Sequence, residues 1–135
     1  MRAADVAECR AMADLSPIEG LWRSMVRSSA FTILVDGRPE AMFGTSALNI
    51  LAGIGSVWML GTDVIDQHPR ELLRLSPEWV AKLFTRYEVL RNVVSCDNCA
   101  SIRWLKWLGA EFSEPFDIGG VPFVLFEMRK PRDVR

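Results

Sequence analysis

The sequence predicts an α+β domain with α/β/α-like layering, in which one mixed, mostly antiparallel sheet is flanked by helices. Three observations point there. Apolar residues recur at helical spacing after Ser16-Pro17, Asp36-Gly37 separates two strand-forming runs, and helical and extended patterns then alternate to the end. At 135 residues, half of them hydrophobic, the chain has the length of one domain with a sizeable core. We expect residues 1–135 to form it, with a short basic tail from about residue 129.

The elements follow in order. Residues 4–13 suggest a helix with Val6, Ala7, Met12 and Ala13 inward, and with Asp5, Glu8 and Asp14 on or beside a solvated face. Ser16 then caps a second helix whose first residue is Pro17, where a fixed φ suits the first turn and the missing N–H is one that no helix pairs. Ile18, Leu21, Trp22, Met25 and Val26 recur there as one buried face. The run "AFTILVDGRPEAMFGTSALNIL" reads as an antiparallel hairpin, because Asp36-Gly37 tolerates the positive φ of a tight turn. "SVWMLGT", Ser56 to Thr62, is apolar on both faces and so belongs in the middle of the sheet.

Pro69 starts a short helix with Leu72 and Leu73 inward. Ser76-Pro77 repeats the cap signal before another helix carrying Val80, Leu83, Phe84, Tyr87 and Leu90. A strand around Asn92 to Ser95 leads into a helix opened by Asn98 and stopped at Gly109, with Ile102, Leu105 and Leu108 inward and Arg103 and Lys106 in solvent. "EFSEPF" and "VPFVLFEM", joined by Gly119-Gly120, close the chain as two strands.

Charge narrows the partners. Sixteen basic residues against seventeen acidic ones give a net charge of -1, so no global field draws in nucleic acid or an anionic membrane. The one basic cluster, Arg129, Lys130, Arg132 and Arg135 around Asp133, reads as a solvated end. The longest nearly apolar run, "ILAGIGSVWMLG", is far short of the ~20 residues that span a bilayer. Three cysteines, an odd number without a secretory leader pattern, argue for a reducing compartment rather than a disulfide scaffold.

Few residues carry an obvious chemistry. Cys96 and Cys99 have C-x-x-C spacing at a strand-to-helix junction, where a thiol pKa falls, but zinc needs two more ligands and only Cys9 and His68 remain; we expect no metal site. His68, the single imidazole, lies in "DVIDQHPREL" with no nucleophile that the sequence places beside it. Gly53-x-Gly55 precedes a strand, the wrong side for cradling phosphate on a following helix. Trp104 and Trp107, three apart on the Asn98 helix, suggest a docking ridge for another protein.

The pattern N-x-x-S-I-R-x-L-x-x-L-G, Asn98 to Gly109, resembles the last motif of the GNAT acetyltransferases, in which a strand splays and a helix beginning near an Asn lines the coenzyme A groove. Together with "WMLGTDVIDQHPRELLRLS" and "YEVLRNVV", it is similar to a GNAT-like family of tailed phages and prophages that includes the internal virion protein A of podophages. The resemblance covers about residues 5 to 128. It implies that acetyl-CoA, if bound, pairs with the backbone of Leu60, Gly61, Thr62 and Asp63, lies near Asn98 and Ser101, and meets His68 or Arg70 with its phosphates. It also implies phage structural or assembly proteins as partners, compatible with homo-oligomers, and a place in the host cytoplasm during assembly or in the virion.

Two departures argue against efficient acetyl transfer. The glycine-rich phosphate loop of active GNATs is missing, since Thr62 to Leu73 contains no glycine, and Asp63 and Asp66 oppose a polyanion. The frequent tyrosine acid of the final helix falls at Leu105. The expectation is a degenerate GNAT-fold virion or assembly component; the competing one is an acetyl-CoA-dependent N-acetyltransferase.

Overall fold

In the computed structural model, residues 1–13, 16–26 and 28–132 are described. The chain opens with α1 (Ala3–Ala13) and α2 (Pro17–Val26), then the hairpin β1 (Ser29–Val35) and β2 (Arg38–Asn49), followed by β3 (Ile54–Gly61). Next come the short α3 (Asp63–Asp66), α4 (Pro69–Leu83), β4 (Val89–Ser95) and α5 (Cys99–Trp107). β5 (Glu111–Phe112), β6 (Phe116–Ile118) and β7 (Val121–Arg129) complete the described elements. They make a seven-stranded sheet of order β1-β2-β3-β4-β7-β5, with β6 also on β7, in which β3 and β4 are the parallel pair. This is the expected mixed, mostly antiparallel sheet with helices.

Local chemistry explains the punctuation. Ser16 and Glu19 form a reciprocal capping box at the start of α2, with N–H to side-chain oxygen distances of 3.3 and 3.1 Å. The β1–β2 turn carries positive φ at Asp36 and Gly37, as the hairpin requires. α5 ends in a Schellman motif: Gly109, at φ 92°, donates to the Lys106 carbonyl, and Ala110 donates to that of Leu105.

The core lies where α4 and α5 meet the β4–β7 half of the sheet. Leu83 and Phe84 join Leu90, Val94, Leu105, Val124, Phe126 and Met128, with Ile102 and Leu108 packed against them. The inward face expected for the Asn98 helix is therefore present. Over the other half, Trp79 of α4 packs on Phe31 and Phe43, at ring distances of 5.1 and 5.3 Å.

Several expectations are corrected. Pro69 to Leu83 is one helix, not two: Ser76 is no cap, because its hydroxyl bonds the Leu72 carbonyl and accepts from Trp104 Nε1, so it is paired inside the helix. Tyr87 and Leu90 lie beyond that helix, with Leu90 in β4. α1 does not bury an aliphatic face; Ala7 and Met12 are exposed, while Asp5 is 1% exposed and Glu8 is half-buried. Ile18 and Trp22 of α2 are exposed, at 80% and 63%. The side chains of Ala13, Met25 and Val26, together with Asp14, Asp133 and Arg135, lie outside the described residues. "EFSEPF" divides into β5 and β6, because both pair with β7 but at separate registers.

Candidate functional site

β3 and β4 are paired only from Ile54↔Val89 to Ser56↔Arg91, and then they part. The side-chain amide of Asn92 spans the point of parting. Its Nδ2 donates to the Val57 carbonyl and its Oδ1 accepts from the Val93 N–H, each at 2.7 Å, so a side-chain amide replaces the missing peptide rung. Farther along, the open ends are joined by α1. Gly61 donates to Asp5 Oδ2 at 2.9 Å, and Arg2 N–H donates back to the Gly61 carbonyl at 2.6 Å. Across the gap, Glu8 Oε1 accepts from the Ser95 N–H at 3.1 Å and from Asn98 Nδ2 at 2.9 Å.

Asn98 thus does two jobs. Its Oδ1 accepts from the Ser101 N–H at 3.3 Å, capping α5, while its amide nitrogen is committed to Glu8. Arg2 grips Asp5 through two bonds of 2.9 and 3.0 Å and reaches Asp66 at 3.1 Å. Burial works against the Arg2 charge, but these bonds outweigh it and hold its pKa above the ordinary value. Burial pushes the Glu8 carboxyl up; its bonds to Asn98 and Ser95 pull down, and the nearby Asp5 charge adds to the rise. The Cys9 thiol is raised too, first by burial and then by Asp5 and Glu8.

Beside the parted strands runs a cavity of about 1220 Å³, whose wall includes Asp5, Glu8, Met59, Leu72, Trp79 and Trp104. Leu60 and Gly61 end β3 at this gap, and Asn98 and Ser101 lie on its β4 side, so these four expected positions come together. Thr62 and Asp63 turn away: the Thr62 hydroxyl bonds the Glu40 carboxylate, its N–H bonds the Glu40 carbonyl, and Asp63 opens α3. His68 precedes α4 with its ring 3.8 Å from Glu71, and Arg70 is exposed. This turn is a poor phosphate cradle, since Pro69 lacks an N–H and Glu71 adds negative charge in the first turn.

Trp104 is corrected as a docking residue: its indole is turned inward onto Ser76, 3.0 Å away. Trp107 is 55% exposed and remains available. Cys9, Cys96 and Cys99 are free thiols, and no group of three metal-ligating side chains occurs among the described residues. Asp5, Glu8 and Asn92 escaped the sequence reading. Its usable signal was an alanine-rich helix whose stripe is Arg2, Asp5 and Glu8 at three-residue spacing, a face with charge where an apolar one belongs.

A mixed sheet flanked by helices, with its two parallel central strands parting, places the protein in the GNAT-fold class. Similar solved structures agree. An acetyltransferase of the GNAT family from Streptococcus pneumoniae aligns at TM-score 0.63 and 13% identity, covering 94% of this chain and 92% of that one. Spermidine N-acetyltransferase from Vibrio cholerae, in complex with CoA and spermine, aligns at 0.67 and 9%, over 94% and 83%. Aminoglycoside acetyltransferase AAC(6')-Ib, in complex with coenzyme A, aligns at 0.62 and 14%, over 87% and 79%. At such identities the likeness speaks for the fold alone. The chain belongs to the family of the probable scaffold protein Gp13 of bacteriophage T7, whose model matches residues 42–117. No curated protein matches the sequence. No helix among the described residues is long and apolar enough to cross a membrane.

Proposed function

We propose that this protein is a phage assembly or virion component that works through protein contacts, on a single GNAT-fold domain, residues 1–135, that performs no efficient acetyl transfer. Its place is the host cytoplasm during assembly and then the particle. One observation carries the reading: the donors that the parted strands offer, Gly61 N–H, Ser95 N–H and Asn98 Nδ2, are occupied by the chain's own Asp5 and Glu8. Membership in a scaffold family supports it, as do the absent glycine loop and Leu105 in place of a tyrosine. General acid–base assistance is worth about 10² to 10⁴ in rate, so a final helix without its acid forfeits much of it.

Trp107 is the contact residue we assign, since it stands on the outer side of α5 while the inner side is packed. The test replaces Trp107 with Glu in the phage and compares incorporation of the protein into particles. A drop of tenfold or more, with an unchanged circular dichroism spectrum and melting temperature, is expected. Full incorporation of the variant removes the assignment.

A second reading, an acetyl-CoA-dependent N-acetyltransferase, draws on one feature: Glu8, a carboxyl of raised pKa, stands on the wall of the cavity, where a base for an amine belongs. Steady-state assays with acetyl-CoA and an amine panel separate the two, because this reading requires turnover that Glu8→Gln abolishes.

A further inference from the structure

We infer that β1 is a self-pairing edge: two copies of the chain join their β1 strands antiparallel about Thr32, so that two seven-stranded sheets run on as one. This contact is separate from that of Trp107. It uses the first edge of the sheet, whereas α5 packs on the β4–β7 half, and it stands or falls without the other.

β1 ends the sheet, and among the described residues β2 supplies its only backbone partners. The turn fixes which groups stay free. Asp36 and Gly37 both have positive φ and Val35 is paired with Arg38, so Val35 closes a two-residue hairpin and directs its peptide groups at β2. Alternation then turns Ile33, Phe31 and Ser29 toward β2 and leaves the N–H and C=O of Leu34, Thr32 and Ala30 pointing outward. The register shift beside Ile33 does not disturb this, because the extra residue, Glu40, lies on β2. The Ser29 carbonyl agrees: it lies so close to Gly44 of β2 that a Cβ there would collide with it.

An exposed edge is ordinarily guarded by charge, proline or brevity. Ser29–Val35 has seven residues, none charged and none proline. Phe31 packs on Phe43 and Trp79 and is still 40% exposed, and Leu34 is 62% exposed.

Self-complementarity selects a second copy of this chain as the occupant. With Thr32 opposite its twin, Ala30 meets Leu34 and Phe31 meets Ile33, so every outward N–H of each copy finds a carbonyl on the other and the apolar side chains face one another. The same register sets Val35 opposite Ser29, whose hydroxyl accepts from Arg86 Nη1 at 2.8 Å. Asp36, next after Val35, therefore arrives near the Arg86 of the other copy, and symmetry repeats the meeting at the far end. Neither Asp36 nor Arg86 takes part in an ion pair among the described residues. Such a pairing is isologous and stops at two. One strand edge buries less than the roughly 1,200 Å² of a stable interface, so the dimer is of the reversible class.

Sedimentation equilibrium of the full chain against concentration measures the association. Thr32→Pro removes an outward N–H and spares the β1–β2 ladder; it should weaken dimerisation at least tenfold at an unchanged melting temperature. Should that variant not fold, Leu34→Lys, which sets a charge on the same edge, carries the test. Asp36→Lys and Arg86→Glu should each weaken the dimer severalfold, and the two together should restore it, a rescue that a merely structural role would not give. A chain that stays monomeric at every concentration overturns the inference, as does a dimer that Thr32→Pro leaves intact. A dimer indifferent to the charge reversals overturns the register about Thr32. Monomers whose incorporation into particles falls with Thr32→Pro would give the edge to a strand of another protein and overturn the second copy.

Discussion

Glu8 accepts two hydrogen bonds on one carboxylate oxygen, yet burial raises its pKa above the ordinary 4.5, so desolvation outweighs the bonds. The sign of the pH effect follows. A carboxyl whose folded pKa exceeds its unfolded one binds its proton more tightly when folded; its contribution is complete below pH 4.5 and is lost as pH rises through the folded value. Glu8→Gln keeps an acceptor for both bonds and removes the charge. It should raise the melting temperature at pH 7.5 and flatten its fall between pH 4.5 and neutrality, measured against the unaltered chain at each pH. Asn92 offers a second check at this scale. Asn92→Leu strips partners from the Val57 carbonyl and the Val93 N–H, and urea unfolding should show a loss of about 1–3 kcal/mol.

Among the elements, α4 shows where sequence patterns mislead. Ser-Pro marks a true start at Ser16-Pro17, where Glu19 answers the serine, and the same pair at Ser76-Pro77 stands inside a continuous helix. The difference is tertiary: the Ser76 hydroxyl is taken up by the Leu72 carbonyl and the Trp104 indole, a partner 28 residues away that no local pattern reveals. α5 was legible because its signals are local, an Asn cap, an apolar face and a glycine stop. The gap residues Leu60, Gly61, Asn98 and Ser101 were legible through their resemblance to a known motif. Asp5 and Glu8 were not, since on a lone helix they look like solvated charge, and only the bonds to Gly61 and Ser95 on β3 and β4 turn Asp5 into a buried acceptor and Glu8 into a half-buried one. Pro77 costs α4 the bond to the Leu73 carbonyl. Pro77→Ala should therefore stabilise the protein, by up to about 3 kcal/mol in unfolding experiments.

For the whole molecule, a net charge of -1 and an isoelectric point near 5.8 leave little repulsion between copies. The β2–β3 turn meanwhile projects Leu48, Ile50 and Leu51, with Leu51 fully exposed. Solubility should pass through a minimum near pH 5.8, and Ile50→Ser/Leu51→Ser should raise it severalfold there without moving the melting temperature. Light scattering against pH measures both.

The short run of paired residues between β3 and β4 has a mechanical consequence. The sheet is two ladders, β1–β3 and β4–β7, hinged on a spine three residue pairs long, pinned by the Asn92 side-chain amide and bridged at its open end by the α1 bonds to Gly61, Ser95 and Asn98. Load applied across that spine meets far fewer bonds than load within either ladder. A chain pulled across this line would yield there first, and the two halves would swing like the covers of a book while each kept its own pages.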